Sequence, residues 1–334
     1  SDLSLDETGI KRYRKIVRLA ALLHDVGHAP FSHAGEDLMP PLPKNHRRYS
    51  TAETKRFEHE DYSIEIIKTT FKGLIEDHNI NNNFKITVDE VTALLGDQTA
   101  KLKGAGLLWK ELISGQLDAD RADYLLRDSI HLGVSYGLYD RSRLVSCMTL
   151  TRTETDAPVL AIEDGGWHIA ESLVIARYQM FTQVYFHKVR RIYDYHVYKA
   201  CKEILNSKKK NKGCYPPPDK LEDYLEYDDW KMYSQIIANK AGSSGDILLN
   251  RKHYKCIYET QIVPTEEDRN KLKELEQEYK DKEYYLDEAL TSWYKLDKDI
   301  WICSKDCVQP LSEKSRIVKS MIEKPCQKRF YISR

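Results

Sequence analysis

Apolar residues recur at helical spacing through residues 11–28, basic side chains early (Lys11, Arg12, Arg14, Lys15, Arg18) and Ile16, Val17, Leu19, Ala20, Leu22 and Leu23 after them. This pattern predicts a helix over 11–28, stopped at Ala29-Pro30 because proline lacks the N–H and disfavours helix in the residue before it. Residues 34–56 carry Pro40-Pro41-Leu42-Pro43 and a polar, basic tract with Arg47, Arg48, Lys55 and Arg56, which reads as a loop or lid. A second helix starts at Glu58, with Glu60 and Asp61 in its first turn where the helix dipole favours acids. Residues 79–83 read as a turn and 88–95 as a short helix. Gly96, Gly104 and Gly106 punctuate the next stretch, and 107–130 is again helical.

Residues 144–150 and 159–162 predict a β-hairpin turning over 154–158. Residues 167–205 contain no Gly or Pro and predict the longest helix of the chain. The basic stretch 208–213 and Pro216-Pro217-Pro218 mark a boundary, dividing a core of residues 1–205 from a C-terminal region of 206–334. In that region 219–239 and 265–285 read as helices, and 256–263, 300–303 and 329–332 as strands. The fold class is mainly α: a helical bundle with a small β-hairpin and a mixed α+β C-terminal part.

Charge sharpens the functional question. Lys and Arg total 52, balancing 52 Asp and Glu. A neutral chain has no global attraction for nucleic acid or membrane, so any phosphate site must be a local cationic cluster. Single-stranded nucleic acid is a partner that nothing in the sequence supports. Seven scattered cysteines, without a C-x-x-C pair, fit reduced thiols in a cytoplasmic compartment. No apolar run reaches the roughly 18 residues that span a bilayer, and no signal peptide is visible.

The candidate chemistry lies in two stretches. His24-Asp25-Val26-Gly27-His28-Ala29-Pro30-Phe31-Ser32-His33 closes the first apolar helix with nitrogen and oxygen ligands. Such groups are costly at a buried helix end unless they bind something, and a divalent metal is the usual partner. On a continuous helix His28 would lie one turn beyond His24, on the same face. In the second stretch Asp120, Tyr124 and Asp128 fall at i, i+4 and i+8. His24 and Asp25 alone are too few ligands, and Asp120 is a natural third.

Leu23 to His33, His59-Glu60, Asp118 to Asp128 and His131-Leu132-Gly133 together resemble the HD-domain metal-dependent phosphohydrolases. Within these the likeness is to the deoxynucleoside triphosphate triphosphohydrolase branch, which holds bacterial dGTP triphosphohydrolases and the animal enzyme joining a sterile-alpha-motif to an HD domain. The likeness is specific over 19–36, 58–66 and 117–145, looser over 177–190 and weak beyond about 205. It implies that His24, Asp25 and Asp120 hold one divalent metal, for which Mn, Fe, Zn, Ni or Mg all suit mixed His/Asp ligation. It implies that His28, His33 and His59 face the α-phosphate, with His59 the proton donor to the leaving group and Glu36 and Glu60 orienting carboxylates. Arg121 and Tyr124 would contact the phosphate chain, Asp128 the sugar 3′-hydroxyl, Arg177 the terminal phosphate, and Tyr185 the deoxyribose where a 2′-hydroxyl would clash. Arg143, His187 and Lys188 match positions that bind an activating nucleotide between subunits, implying a GTP or dNTP effector and a homo-oligomer, a tetramer before a dimer. The family has a fourth ligand, a histidine upstream of the His-Asp pair. None occurs among the 23 residues before His24, so either that ligand lies on a segment outside this sequence, which is the expectation, or this copy has lost it.

The implied reaction releases inorganic triphosphate from a dNTP. Two other readings compete: an HD phosphohydrolase acting on another nucleotide or phosphodiester, and a non-catalytic nucleotide- or nucleic-acid-binding regulator.

Overall fold

The first helix, α1 (Glu7–Leu23), is capped by Asp6, whose carboxylate accepts the Gly9 N–H at 2.7 Å. Short α2 (His33–Glu36), α3 (His59–Lys68), α4 (Lys72–Glu76) and α5 (Val88–Leu94) follow. The α3 start is legible in the sequence as an acidic first turn, and Asp61 indeed turns back to accept the Glu58 N–H at 2.9 Å. Next come α6 (Gly106–Ser114), α7 (Ala119–Leu132), α8 (Arg141–Ser146), strands β1 (Met148–Arg152) and β2 (Pro158–Glu163), α9 (Trp167–Met180), a π turn (Phe181–Tyr185) and α10 (Lys188–Ser207). The remainder comprises α11 (Leu221–Leu225), α12 (Asp229–Ile237), α13 (Gly242–Asn250), β3 (Lys255–Glu259), α14 (Glu266–Glu278), β4 (Tyr284–Ala289), β5 (Trp301–Cys303), β6 (Val308–Pro310), α15 (Leu311–Lys314), α16 (Arg316–Ser320) and β7 (Gln327–Ile332). The chain is mainly helical with a mixed α+β C-terminal part, as the pattern predicts. This computed structural model describes residues 6–46, 48–51, 53–97, 106–153, 156, 158–207, 213–289, 294, 299–305, 307–322 and 326–333. Arg47, Gly104, the turn positions 154, 155 and 157 and the basic stretch 208–212 lie outside them. No described helix is long and apolar enough to cross a membrane.

Several expected elements differ. The helix over 11–28 ends at Leu23 and gives way to turns. The helical run 107–130 is broken at 115–118, where Asp118 caps α7 by accepting the Arg121 N–H at 2.7 Å. Leu144 to Ser146 are helical, so the hairpin begins only at Met148. The helix over 167–205 is interrupted by the π turn, where the Phe186 N–H bonds the Phe181 carbonyl at 2.8 Å and the buried Phe186 ring meets that of Phe181 edge-on. The charged helix over 265–285 stops at Glu278, because Tyr284 and Tyr285 pair with β7 instead.

Two compact units result: Leu5–Lys101 with Ile192–Tyr254, and Leu102–Arg191 with Lys255–Ser333. The expected boundary at 205/206 falls inside the first. There Tyr62, fully buried, packs with Leu38, Met39, Ala200, Ile204 and Tyr224. The Tyr62 and Tyr224 rings lie 4.1 Å apart, and both hydroxyls donate to backbone carbonyls, Tyr62 to Pro216 and Tyr224 to Gly27, each at 2.8 Å. Buried phenols need such partners.

In the second unit, a sheet ordered β1-β2-β5-β6 covers a core of Leu125, Leu144, Ile162, Leu173 and Ile302. A separate antiparallel sheet, β3-β7-β4, carries Phe330 against Leu272 and Leu275 of α14.

Candidate active site

In the first unit α1 hands over to the His24-Asp25 turn. A continued helix would give the His24 carbonyl to the His28 N–H. Instead Ser63 of α3 donates its hydroxyl to that carbonyl at 2.6 Å and accepts the Gly27 N–H at 2.9 Å. The approach is close enough that a Cβ on Gly27 would lie 2.3 Å from the Ser63 nitrogen. Phe31 and Ser32 then take left-handed backbone (φ 63° and 54°), a costly conformation for side-chain-bearing residues. This bend turns the chain so that His33 starts α2.

The result is a cluster built on Asp25 and Glu36. Asp25 Oδ1 lies 3.2, 3.6 and 3.5 Å from Nε2 of His24, His28 and His59. His24 Nδ1 is 2.9 Å from the Ala21 carbonyl, so Nδ1 carries the proton and Nε2 presents a lone pair. Ligands at about 2.1 Å on one ion stand about 3 Å apart when adjacent, and the His24–Asp25 separation fits that. Glu36 binds the Nδ1 of His33 at 2.8 Å and that of His59 through its other oxygen. His28 stacks on His59 at 3.8 Å with planes 13° apart, and His33 meets His28 edge-on. Ligand atoms of His28, His33, Glu36 and His59 lie within 4.8 Å of one another, so this group too has metal-binding spacing. Glu60 Oε2 sits 3.5 Å from His59 Nδ1.

The stacked imidazoles are driven apart in basicity. Burial, then the charge of His59, lowers His28 to about 4. Burial would lower His59 also, but the hydrogen bond to Glu36 and the charges of Glu60 and Glu36 outweigh it and raise that imidazole. Burial likewise disfavours the Glu36 carboxylate, yet hydrogen bonds from His33 and His59 hold it well below the usual range. Two imidazoles side by side with basicities shifted in opposite directions suit acid–base chemistry.

The second unit holds the residues expected to contact a nucleotide. Asp120, Tyr124 and Asp128 share one face of α7. Tyr185 donates its hydroxyl to Asp128 Oδ2 at 2.6 Å, and its ring meets that of Tyr124 edge-on at 6.0 Å. Arg177 is buried; its Nη1 donates to Gln116 at 3.2 Å and its Nε has no hydrogen-bond partner among the described residues. Burial and the nearby charge of Arg121 lower Arg177 to about 10. Arg121 itself is held by Asp118 at 2.5 Å and by the Gly115 carbonyl. Arg143, His187 and Lys188 are exposed.

Sequence reasoning assigned no role to Ser63, Gln116 or Asp118. Asp118 is buried, and burial raises its carboxyl to about 6 despite Arg121. Its signal was the N-cap position, an acid just before a helical run; Ser63 and Gln116 carried no local signal.

Residues 5–128 match the HD domain and residues 139–287 the HD associated region. An uncharacterized protein of Bacillus subtilis, YwfO, is 36% identical over 178 residues, covering 53% of this chain and 34% of its own length. A deoxynucleoside triphosphate triphosphohydrolase SAMHD1 homolog of Dictyostelium discoideum is 28% identical over 219 residues, covering 65% of this chain and 37% of its own. This chain thus spans about a third of the length of these relatives. The crystal structure of a hypothetical protein from Aquifex aeolicus superposes with a TM-score of 0.72 at 27% identity, covering 99% of this chain and 79% of that one.

Proposed function

The chain belongs to the HD-domain phosphohydrolases, and we propose that it hydrolyses deoxynucleoside triphosphates to deoxynucleoside and inorganic triphosphate. The observation that carries this reading is the Tyr185–Asp128 hydrogen bond, flanked by Tyr124 on α7. A hydroxyl-binding carboxylate beside two phenol rings suits a deoxyribose. The unsatisfied Nε of Arg177 supplies a buried donor for phosphate, with Arg121 beside it as a second cation. The SAMHD1 homolog supports the same substrate class.

We assign the metal to His24, Asp25 and Asp120, with identity left to Mn, Fe, Zn, Ni or Mg. Such an ion supplies a water of lowered pKa and polarises the phosphoryl group. The other roles belong to side chains. His59 holds a proton through Glu36 and donates it to the leaving oxygen. His28, neutral, and His33 contact the α-phosphate, and Glu60 and Glu36 orient the rings. Because Glu36 is already shared between two imidazoles, we favour this acid–base role over a second metal for that group. Tyr124 and Arg121 align the phosphate chain and Arg177 takes its end.

Arg143, His187 and Lys188 are assigned to a GTP or dNTP effector that assembles a homo-oligomer, a tetramer before a dimer. Light scattering and turnover with and without nucleotide test this, and unchanged mass without activation rejects it. Seven unpaired thiols fit a reducing, cytoplasmic location.

The test of the reaction is chromatography of products from each dNTP with each metal. Free triphosphate supports the reading. Orthophosphate favours action on another nucleotide, and no turnover with any metal favours a regulator.

A further inference from the structure

The second unit contains an ion pair, its carboxylate buried and its guanidinium half-buried, that the proposed chemistry does not use. Asp287 on β4 is 1% exposed. Its carboxylate takes the Arg191 guanidinium in a fork, with Nε 3.1 and 3.0 Å from the two oxygens and Nη2 2.5 Å from Oδ1. A second guanidinium, that of the buried Arg329 on β7, stands 3.9 Å away. Burying these charges costs desolvation that the attraction roughly offsets, so such a pair contributes position more than net stability.

What it positions is the start of α10. Arg191 lies over the Phe186 ring at 5.8 Å, and Arg190 donates its Nη1 to the Tyr185 carbonyl at 2.7 Å. Tyr331 of β7 donates its hydroxyl to the Lys188 carbonyl at 2.9 Å. The sheet β3-β7-β4 therefore grips the residues just after the π turn whose last member is Tyr185. A π turn is rarer than an α turn and needs such support. Relaxing it by one residue of register would swing Tyr185 about 100° around the helix axis, away from Asp128.

We propose that Asp287 is a positioning residue: through Arg191 it holds the π turn so that the Tyr185 hydroxyl stays on Asp128, and so helps set selectivity for a deoxyribose. This rests on the reading of Tyr185 and Asp128 as sugar contacts. The test compares Asp287→Asn and the exposed Arg190→Gln with wild type, measuring kcat and KM for a dNTP and its ribonucleotide, alongside amide exchange of residues 181–187. Loss of about tenfold in kcat/KM for the dNTP is expected, with a smaller loss for the ribonucleotide, so the deoxy/ribo ratio falls in both variants. A merely structural role would lower the amount of active enzyme and leave that ratio unchanged; an unchanged ratio in both variants overturns the proposal. If wild type turns over no dNTP, the sugar-contact reading fails by itself. Exchange then still decides the positioning: faster exchange at 181–187 in Asp287→Asn upholds it, and wild-type exchange rejects it.

Discussion

His28 lies flat on His59, ring centroids 3.8 Å apart, yet the basicities of the two imidazoles are pushed in opposite directions. Burial lowers both, and the difference comes from Glu36, which hydrogen-bonds His59 but stands 3.7 Å from the Nδ1 of His28, an atom with no hydrogen-bond partner among the described residues. His59 is thereby the more basic of the two and the candidate proton donor, and His28 the less basic neighbour. His59→Gln keeps a donor of similar reach but no transferable proton. Its kcat should fall by roughly 10²–10⁴, the usual worth of a general acid, with KM changed far less. Steady-state kinetics on a dNTP checks this, and a near-wild-type kcat would remove His59 from the role.

Glu36 links this site to acid stability. Its folded-state pKa is depressed below the ordinary value of 4.5, burial being outweighed by the hydrogen bonds from His33 and His59. A depressed carboxyl contributes stability that is present above the unfolded pKa and lost as pH falls toward the folded one. Glu36→Gln should therefore melt below wild type at pH 6, and the gap should narrow as pH drops below about 4.5. Thermal melts across pH 3–7 decide it; a gap of constant size would mean that the carboxylate charge is not the cause.

How much of this was visible in the sequence varies by element. The α3 start was legible because its capping acid is local, Asp61 three residues past the cap. The His24-Asp25 motif announced ligands but not their geometry. Helical periodicity continues to His28, and what ends the helix is Ser63, a partner 39 residues away. The π turn was hidden because 167–205 contains no Gly or Pro to mark it. Its restraint, Asp287, is 96 residues distant from Arg191. Tyr284 and Tyr285 read as the tail of a charged helix until β7 offers them strand partners. Local chemistry was legible, and pairings across the chain were not.

Ser63 yields the clearest separation of support from chemistry. Ser63→Ala removes the donor to the His24 carbonyl and the acceptor for the Gly27 N–H. Leaving those backbone groups unpaired should cost about 1–3 kcal/mol. Loosening the turn that aims His24 should also weaken metal affinity by roughly 10–100-fold, the usual worth of a ligand's supporting partner. Thermal melting and calorimetric metal titration measure the two effects. Wild-type metal affinity in a destabilised variant would show that Ser63 supports the fold alone.

The metal assignment makes the strictest demand. His24 presents Nε2 because Nδ1 is committed to the Ala21 carbonyl, and Asp25 Oδ1 stands 3.2 Å from it. Asp120 is proposed as the third ligand, and it can be tested without disturbing its helix, since α7 is capped by Asp118, whose carboxylate accepts the Arg121 N–H. Asp120→Ala should keep the α7 start intact and lose turnover, and His24→Ala should lose it equally. Chelation of wild type followed by return of the ion should abolish and restore activity, because lowering the pKa of water and polarising phosphorus both require the ion. Metal content by elemental analysis, circular dichroism and turnover, measured together on both variants, separate loss of metal from loss of fold. Retained turnover in either folded variant would remove that residue from the metal site.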